Sequence, residues 1–258
     1  MDGSDEQEAS GGRGPSVRAR ILSVPKGGAS TDEYEDAAAV RKAAWPVRAA
    51  VADGATESAF ARPWAETLAE GLCTIAVTPD ALLDALPDWR SRWVEAHADR
   101  TEELPWYGAA KTREGAFATL LGLELRRDGH WRAAGVGDGL LLHLREGAVQ
   151  QTWPHAAPDE FTNRPALLAS RPGPSNPEVE DCRAVTGTWT KDDTFLLATD
   201  AVAAWLLRTD PEAARTWTAD DFRAAVESAR AEGVLRNDDS TLLVLTPAGP
   251  PPEDAAST

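Results

Sequence analysis

Apolar positions along the chain fall into two kinds of run. Short runs of strand length recur at VRARILSV (17–24), DAAAV (36–40) and VRAAVA (47–52). GAFATLLGLEL (115–125), HWRAAGV (130–136), LLLHLR (140–145) and AVQQTW (148–153) follow and read as a meander. CRAVTGTW (182–189), TFLLAT (194–199) and TLLVL (241–245) complete the set. Several are apolar on both faces, which predicts sheets covered on both sides. Helical periodicity appears elsewhere. Trp64, Leu68, Leu72 and Ile75 share one face of a 3.6-residue period, as do Leu82, Leu86, Trp89 and Trp93, and later Phe222, Val226 and Ala229. Tryptophans at that spacing are expected to be core contacts. The order is strands, two long helices, strands, then helices and a last strand. That predicts an α+β layered fold and lacks the regular βαβα alternation of a doubly wound sheet.

Residues 1–16 and 247–258 are rich in Gly, Ser and Pro and lack periodicity, so they are expected to be disordered ends around one domain, 17–246. An apolar content of 42% excludes a mainly disordered or fibrous chain. No stretch approaches the ~18 uninterrupted apolar residues of a membrane span. MDGSDEQEASGGRGPS has neither the basic start nor the apolar centre of a signal peptide. Two cysteines, Cys73 and Cys182, are too few for a disulfide framework, so the expected location is a reducing cytoplasm. The balance of 26 basic against 42 acidic residues gives −16, which disfavours nucleic acid and anionic lipid as partners and favours cations and basic peptides. Solubility alone also accounts for such a charge.

The placement of the acidic residues changes the picture. Glu35-Asp36 stands at the start of DAAAV, Asp53-Gly54 closes VRAAVA, and Asp138-Gly139 follows RAAGVG. Asp200 closes FLLAT, and Asp238-Asp239 precedes STLLVL. Isolated carboxylates in apolar surroundings are costly, yet five acidic points lie where a buried strand meets a loop. If those strand ends converge, the mutual repulsion calls for cations. All donors are carboxylate oxygen, and His97, His130, His143 and His155 lack ligand spacing, so Mg²⁺ or Mn²⁺ is the expected metal. Taken singly, each point also has a plain reading. Asp138-Gly139 reads as a hairpin turn, Asp200 as a helix N-cap, and Asp238-Asp239 as a solvated turn after Arg236-Asn237. Gly54 lets backbone approach a ligand closely.

The stretches EYEDAAAV (33–40), AAVADGATE (49–57), REGAFATLLGL (113–123), AAGVGDGLLLHLREG (133–147), FLLATDAVAAWLL (195–207) and NDDSTLLVL (237–245) occur in one order over nearly the whole domain. Together they resemble the metal-dependent serine/threonine protein phosphatases of type 2C, the PPM family, in a compact bacterial branch that REGAFATLLGL and FTNRPALLAS (161–170) also suggest. The resemblance implies a four-layer αββα sandwich with two Mn²⁺ or Mg²⁺ ions at one end. Asp53 would bridge both ions and Gly54 would offer its carbonyl. Asp200 and Asp238 would hold one metal, with Glu35 and Asp36 near the other, and Asp138 would belong to a weak third. Asp53, Asp200 and Asp238 would be the catalytic carboxylates. The activity implied is hydrolysis of phosphoserine and phosphothreonine in proteins by a metal-activated water, in a monomer opposing a Ser/Thr kinase. Where the family carries a phosphate-holding arginine, this chain has Ser30-Thr31-Asp32-Glu33, and the candidate replacements are Lys26 and Arg164. Asp200 is followed by Ala201 in place of glycine, and Ala204 stands where the third metal's further carboxylate is expected, with Glu57 as the candidate to take over that role. The alternative implied by the missing arginine is a pseudophosphatase, a binding module without turnover. A hydrolase of small phosphoesters on the same fold is the third reading.

Overall fold

The computed structural model describes residues 16–55, 60–102, 115–161, 164–173 and 181–248. Twelve strands are formed: β1 Val17–Val24, β2 Ala37–Arg41, β3 Val47–Ala52, β4 Phe117–Ala118, β5 Leu120–Leu125, β6 His130–Val136, β7 Leu140–Arg145, β8 Ala148–Trp153, β9 Leu168–Ala169, β10 Arg183–Thr188, β11 Thr194–Ala198 and β12 Ser240–Pro247. Four α-helices accompany them among the described residues: α1 Ala61–Leu72, α2 Pro79–Glu102, α3 Asp200–Leu206 and α4 Ala219–Ala231.

Two five-stranded sheets are built from these strands, ordered β1-β12-β11-β7-β8 and β10-β6-β5-β3-β2, with β4-β9 as a separate short pair. Every pairing in the two large sheets is antiparallel. Strand alternation divides the side chains between layers. In β3, Val47, Ala49 and Val51 join Leu121, Leu123, Leu125, Phe195, Leu197 and Leu243 between the sheets. Ala50 and Ala52 face Trp64, Leu68, Leu72, Trp89 and Trp93 of α1 and α2. On the far side, Val202, Trp205, Phe222 and Val226 of α3 and α4 cover Leu142, Leu196 and Val244. The result is the αββα sandwich. Both faces of the central strands are covered, which is why β5, β7 and β11 are apolar throughout. Burial of each large core side chain contributes on the order of 2 kcal/mol.

Four sequence expectations change. The run 115–125 is two strands, because Thr119 leaves the ladder to bond the backbone of Asp53. Helix α1 stops at Leu72, so Ile75 packs on the core from the following turn rather than from the helix. The meander is broken, since β6 lies in one sheet and β7 in the other. Asp138-Gly139 is therefore a crossing between sheets and not a hairpin turn. Finally, Asp200 is the first helical residue of α3, whose N-cap is Thr199. Residues 1–15, 249–258 and Glu57 lie outside the described residues. No helix among the described residues is long and apolar enough to cross a membrane.

Candidate active site

One end of the sandwich collects the strand termini that carry acid. Asp53 follows β3, Asp36 precedes β2, Asp138 lies on the β6–β7 crossing, Asp200 opens α3 just after β11, and Asp238 precedes β12. Backbone hydrogen bonds hold the Asp53 segment in place. Thr119 N donates to the Asp53 carbonyl at 2.9 Å and Ala55 N to the Phe117 carbonyl at 2.9 Å. At Gly54 a Cβ would stand 2.6 Å from the Glu35 carbonyl oxygen, so the β3 end passes this closely only as glycine.

Asp36 is buried and fixed from the opposite sheet. Its Oδ2 accepts the Thr199 hydroxyl at 2.9 Å and the Thr241 hydroxyl at 2.7 Å. Thr241 N donates in turn to Thr199 Oγ1 at 3.1 Å, and the Tyr34 hydroxyl meets Thr241 Oγ1. Asp239, also buried, accepts Lys26 N at 2.8 Å and Glu35 N at 2.7 Å, which pins the β1–β2 connection under the site. The Glu35 carboxylate pairs with Lys26 Nζ at 3.2 Å.

The electrostatics show that the carboxylates act on one another. Burial raises the Asp53 pKa well above the ordinary carboxylate value, and Asp36, Asp200, Asp238 and Asp138 each add to the rise. Burial likewise lifts Asp36 to about 8, against the hydrogen bonds from Thr241 and Thr199 that favour its charged form. Asp138 is raised to about 7 by burial and by Asp200, with Arg236 and Arg183 opposing. Both Asp138 carboxylate oxygens are buried without a hydrogen-bond partner. Such an orphaned anion costs several kcal/mol unless it is protonated or meets a cation.

Arg236 is a cation inside this cluster. Its guanidinium contacts Asp200 and lies 3.0 Å from Asp238. Sequence reasoning named Arg236 only as the flank of a turn. The available signal was its position two residues before Asp238, in a chain that lacks an arginine before Glu35-Asp36. Of the candidates named for phosphate, Lys26 is engaged by Glu35, and Arg164 is exposed. Ala204 lies on α3 and brings no carboxylate.

Among the described residues, no three acidic, histidine or cysteine side chains close into a finished ligand cage. The reason is visible in the contacts: Asp36 is turned to two hydroxyls, and Asp200 and Asp238 to Arg236. The donor set still fits hard divalent cations. It is all oxygen, mutually repulsive, and includes the unpartnered Asp138.

The protein phosphatase 2C family model matches residues 28–237. The chain belongs to the protein phosphatase 2C family. It is accordingly a serine/threonine protein phosphatase by family, and no match was found among curated proteins. Solved structures of similar fold include the photosystem II phosphatase PBCP, at 17% identity and TM-score 0.57, covering 89% of this chain and 98% of that one. The Mycobacterium tuberculosis serine/threonine phosphatase PstP/Ppp is similar at 15% identity and TM-score 0.60, with the same coverage of 89% and 98%. PppA of Pseudomonas aeruginosa is similar at 18% identity and TM-score 0.53, covering 90% and 98%. These likenesses show that this protein phosphatase 2C shares their fold across nearly its whole described length.

Proposed function

We propose that the chain is a divalent-metal-dependent phosphoprotein phosphatase acting on phosphoserine and phosphothreonine, with Mn²⁺ or Mg²⁺ held at the carboxylate end of the sandwich. The observation that carries this is the convergence of Asp36, Asp53, Asp138, Asp200 and Asp238, with Asp53, Asp36 and Asp138 all driven toward protonation and Asp138 left without a partner. Asp53, Asp200 and Asp238 would hold two ions, with Asp36, the backbone of Gly54 and the neighbouring Glu35 at the second. Asp138 would serve a weaker third, which Ala204 leaves one carboxylate short. Bound ions would make a water acidic enough to supply hydroxide near neutral pH and would offset phosphoryl charge.

The chain's own residues complete the site. Arg236 takes the place of the missing arginine: its planar fork suits two phosphoryl oxygens, and it already lies between Asp200 and Asp238. Lys26, neutralised by Glu35, adds support at the rim. The Asp36–Thr199–Thr241 hydrogen bonds hold the carboxylates of the two sheets in register. We further infer a monomeric cytoplasmic protein opposing a Ser/Thr kinase. One contact favours a second reading, a pseudophosphatase: the same Arg236 occupies Asp200 and Asp238 and competes with any metal there.

Phosphate release from an aryl phosphate and a phosphothreonine peptide, with Mn²⁺, with Mg²⁺ and with excess chelator, separates the readings. Turnover is expected with Mn²⁺ and should vanish in chelator. Asp53→Asn, Asp200→Asn and Asp238→Asn should each lower kcat by more than about a hundredfold with unchanged circular dichroism. Undiminished turnover in chelator overturns the metal mechanism, and no turnover with either metal on either substrate assigns the chain to the pseudophosphatases.

A further inference from the structure

At the end of the sandwich away from the acidic site, the sheet carrying α1 and α2 ends in a row of charge. Arg41 of β2 stands opposite Arg48 of β3, Arg48 opposite Glu124 of β5, and Glu124 opposite Arg132 of β6. By strand alternation all four side chains leave on the face that bears the helices. The helix-facing neighbours Ala39, Ala50 and Ala134 lie nearer the acidic end and pack in the core under α1 and α2. Arg48, Glu124 and Arg132 of this row line an open cavity of about 390 Å³ together with Trp45, Pro46, Arg126, Arg127 and Asp128.

The charges do not cancel. Glu124, 2% exposed, is held by Arg48 at 2.8 Å and by Arg132 at 2.7 Å, so one carboxylate serves two guanidinium groups. Arg132 Nε is buried with no hydrogen-bond partner. Arg41 faces Arg48 directly, an arrangement that costs stability unless an anion offsets it. On the β5–β6 turn, Asp128 lies 3.2 Å from Arg126, while Arg127 is exposed beside them. The rim is rigid. The Trp189 indole donates to the Arg126 carbonyl at 3.0 Å and stacks on Trp45 with centroids 5.7 Å apart and planes 14° from parallel.

We propose that this arginine-lined cavity docks a short acidic segment of a protein partner, carboxylates meeting the Arg48–Arg132 and Arg126–Arg127 groups and apolar side chains lying on Trp45 and Pro46. Forked guanidinium donors fixed by a buried carboxylate are suited to bidentate carboxylate recognition. A net charge of −16 repels a long polyanion such as nucleic acid. A short segment seated within a screening length of about 8 Å is governed by the local arginines instead. The site lies outside the phosphatase machinery and does not depend on the phosphatase reading.

Calorimetric titration of the full chain with a Glu/Asp-rich peptide tests the proposal, with a Lys-rich peptide and inorganic phosphate as controls. The acidic peptide is expected to bind with an affinity that weakens as salt rises. The exposed double substitution Arg126→Glu, Arg127→Glu should weaken binding at least about tenfold through loss of charge-assisted contacts, while leaving hydrolysis of an aryl phosphate unchanged. A single substitution, Trp45→Ala, should weaken the peptide without abolishing it. Failure of the acidic peptide to bind, binding undiminished in the double variant, or phosphate binding as tightly as the peptide would each overturn the proposal.

Discussion

Arg236 answers two demands with one guanidinium: it neutralises Asp200 and Asp238, and it is the cation we propose to hold the phosphoryl group. Replacing it should therefore move two observables in opposite directions. For Arg236→Ala, KM for an aryl phosphate should rise about tenfold or more, because a phosphate contact made in the ground state is lost. Calorimetric Mn²⁺ affinity of the same variant should increase, because the competing cation is gone. A KM unchanged from the parent would remove Arg236 from phosphate binding. A different carboxylate carries structural weight. Asp193, fully buried, accepts His143 Nε2 at 2.8 Å, Arg145 Nε at 2.7 Å and Thr190 N at 2.9 Å. Burial works to raise its pKa, but the Arg145, His143 and Thr190 bonds win and hold it far below the ordinary value. Because the folded pKa lies below the unfolded value near ~3.9, the stabilisation is complete above that pH and is lost as pH falls through the folded pKa. Asp193→Asn should cost about 2–3 kcal/mol at neutral pH, read by denaturant unfolding, with the difference from the parent shrinking in acid. Neither residue was legible beforehand. A single arginine beside Asn-Asp-Asp and an aspartate in a Lys-Asp-Asp turn both look like solvated turn residues, and only tertiary packing sets them apart.

At the scale of elements, the ends of strands matter more than their middles. The β3 end reaches the site only because Gly54 lets it pass the Glu35 carbonyl at a distance no side chain allows. Gly54→Ala should displace that end and with it Asp53, lowering metal-dependent turnover far more than thermal stability. Equal turnover in the variant would show that the close approach is not required. The placement of acids at strand termini was legible, since alternation and carboxylate cost together mark where buried strands stop. The layers were legible too, because β5, β7 and β11 are apolar on both faces. The β6–β7 crossing was not. Asp-Gly between two apolar strands has the local chemistry of a hairpin, and nothing in a doubly covered strand says which sheet it will join. The stop of α1 at Leu72 was hidden for a similar reason, as Ile75 continues the helical period while packing from a turn.

For the whole molecule, charge is distributed unevenly: the carboxylates gather at one end and the arginine row at the other. With metal removed by chelator, Asp53, Asp36 and Asp138 bind protons more tightly folded than unfolded, Asp36 at about 8 and Asp138 at about 7. The folded state then holds more protons between the unfolded carboxylate range near ~4 and these values, so stability should fall as pH rises through that window. Saturating Mn²⁺ should raise the melting temperature most at the upper end of the window and flatten the slope. A chelated protein whose melting temperature climbs steadily from pH 5 to pH 8, within roughly the range where these groups titrate, would contradict this. The tie of Asp36 to Thr199 and Thr241 carries a last consequence. Asp36 and Asp53 belong to one sheet, and Asp200 and Asp238 to the other, so the proposed metal site straddles a seam. A slip of one layer along the other by a fraction of a bond length would pull the ligands apart while every strand kept its own hydrogen bonds. Loss of turnover should therefore precede loss of secondary structure on gentle heating, and the catalytic rate becomes a gauge of how well the two halves of the protein stay aligned.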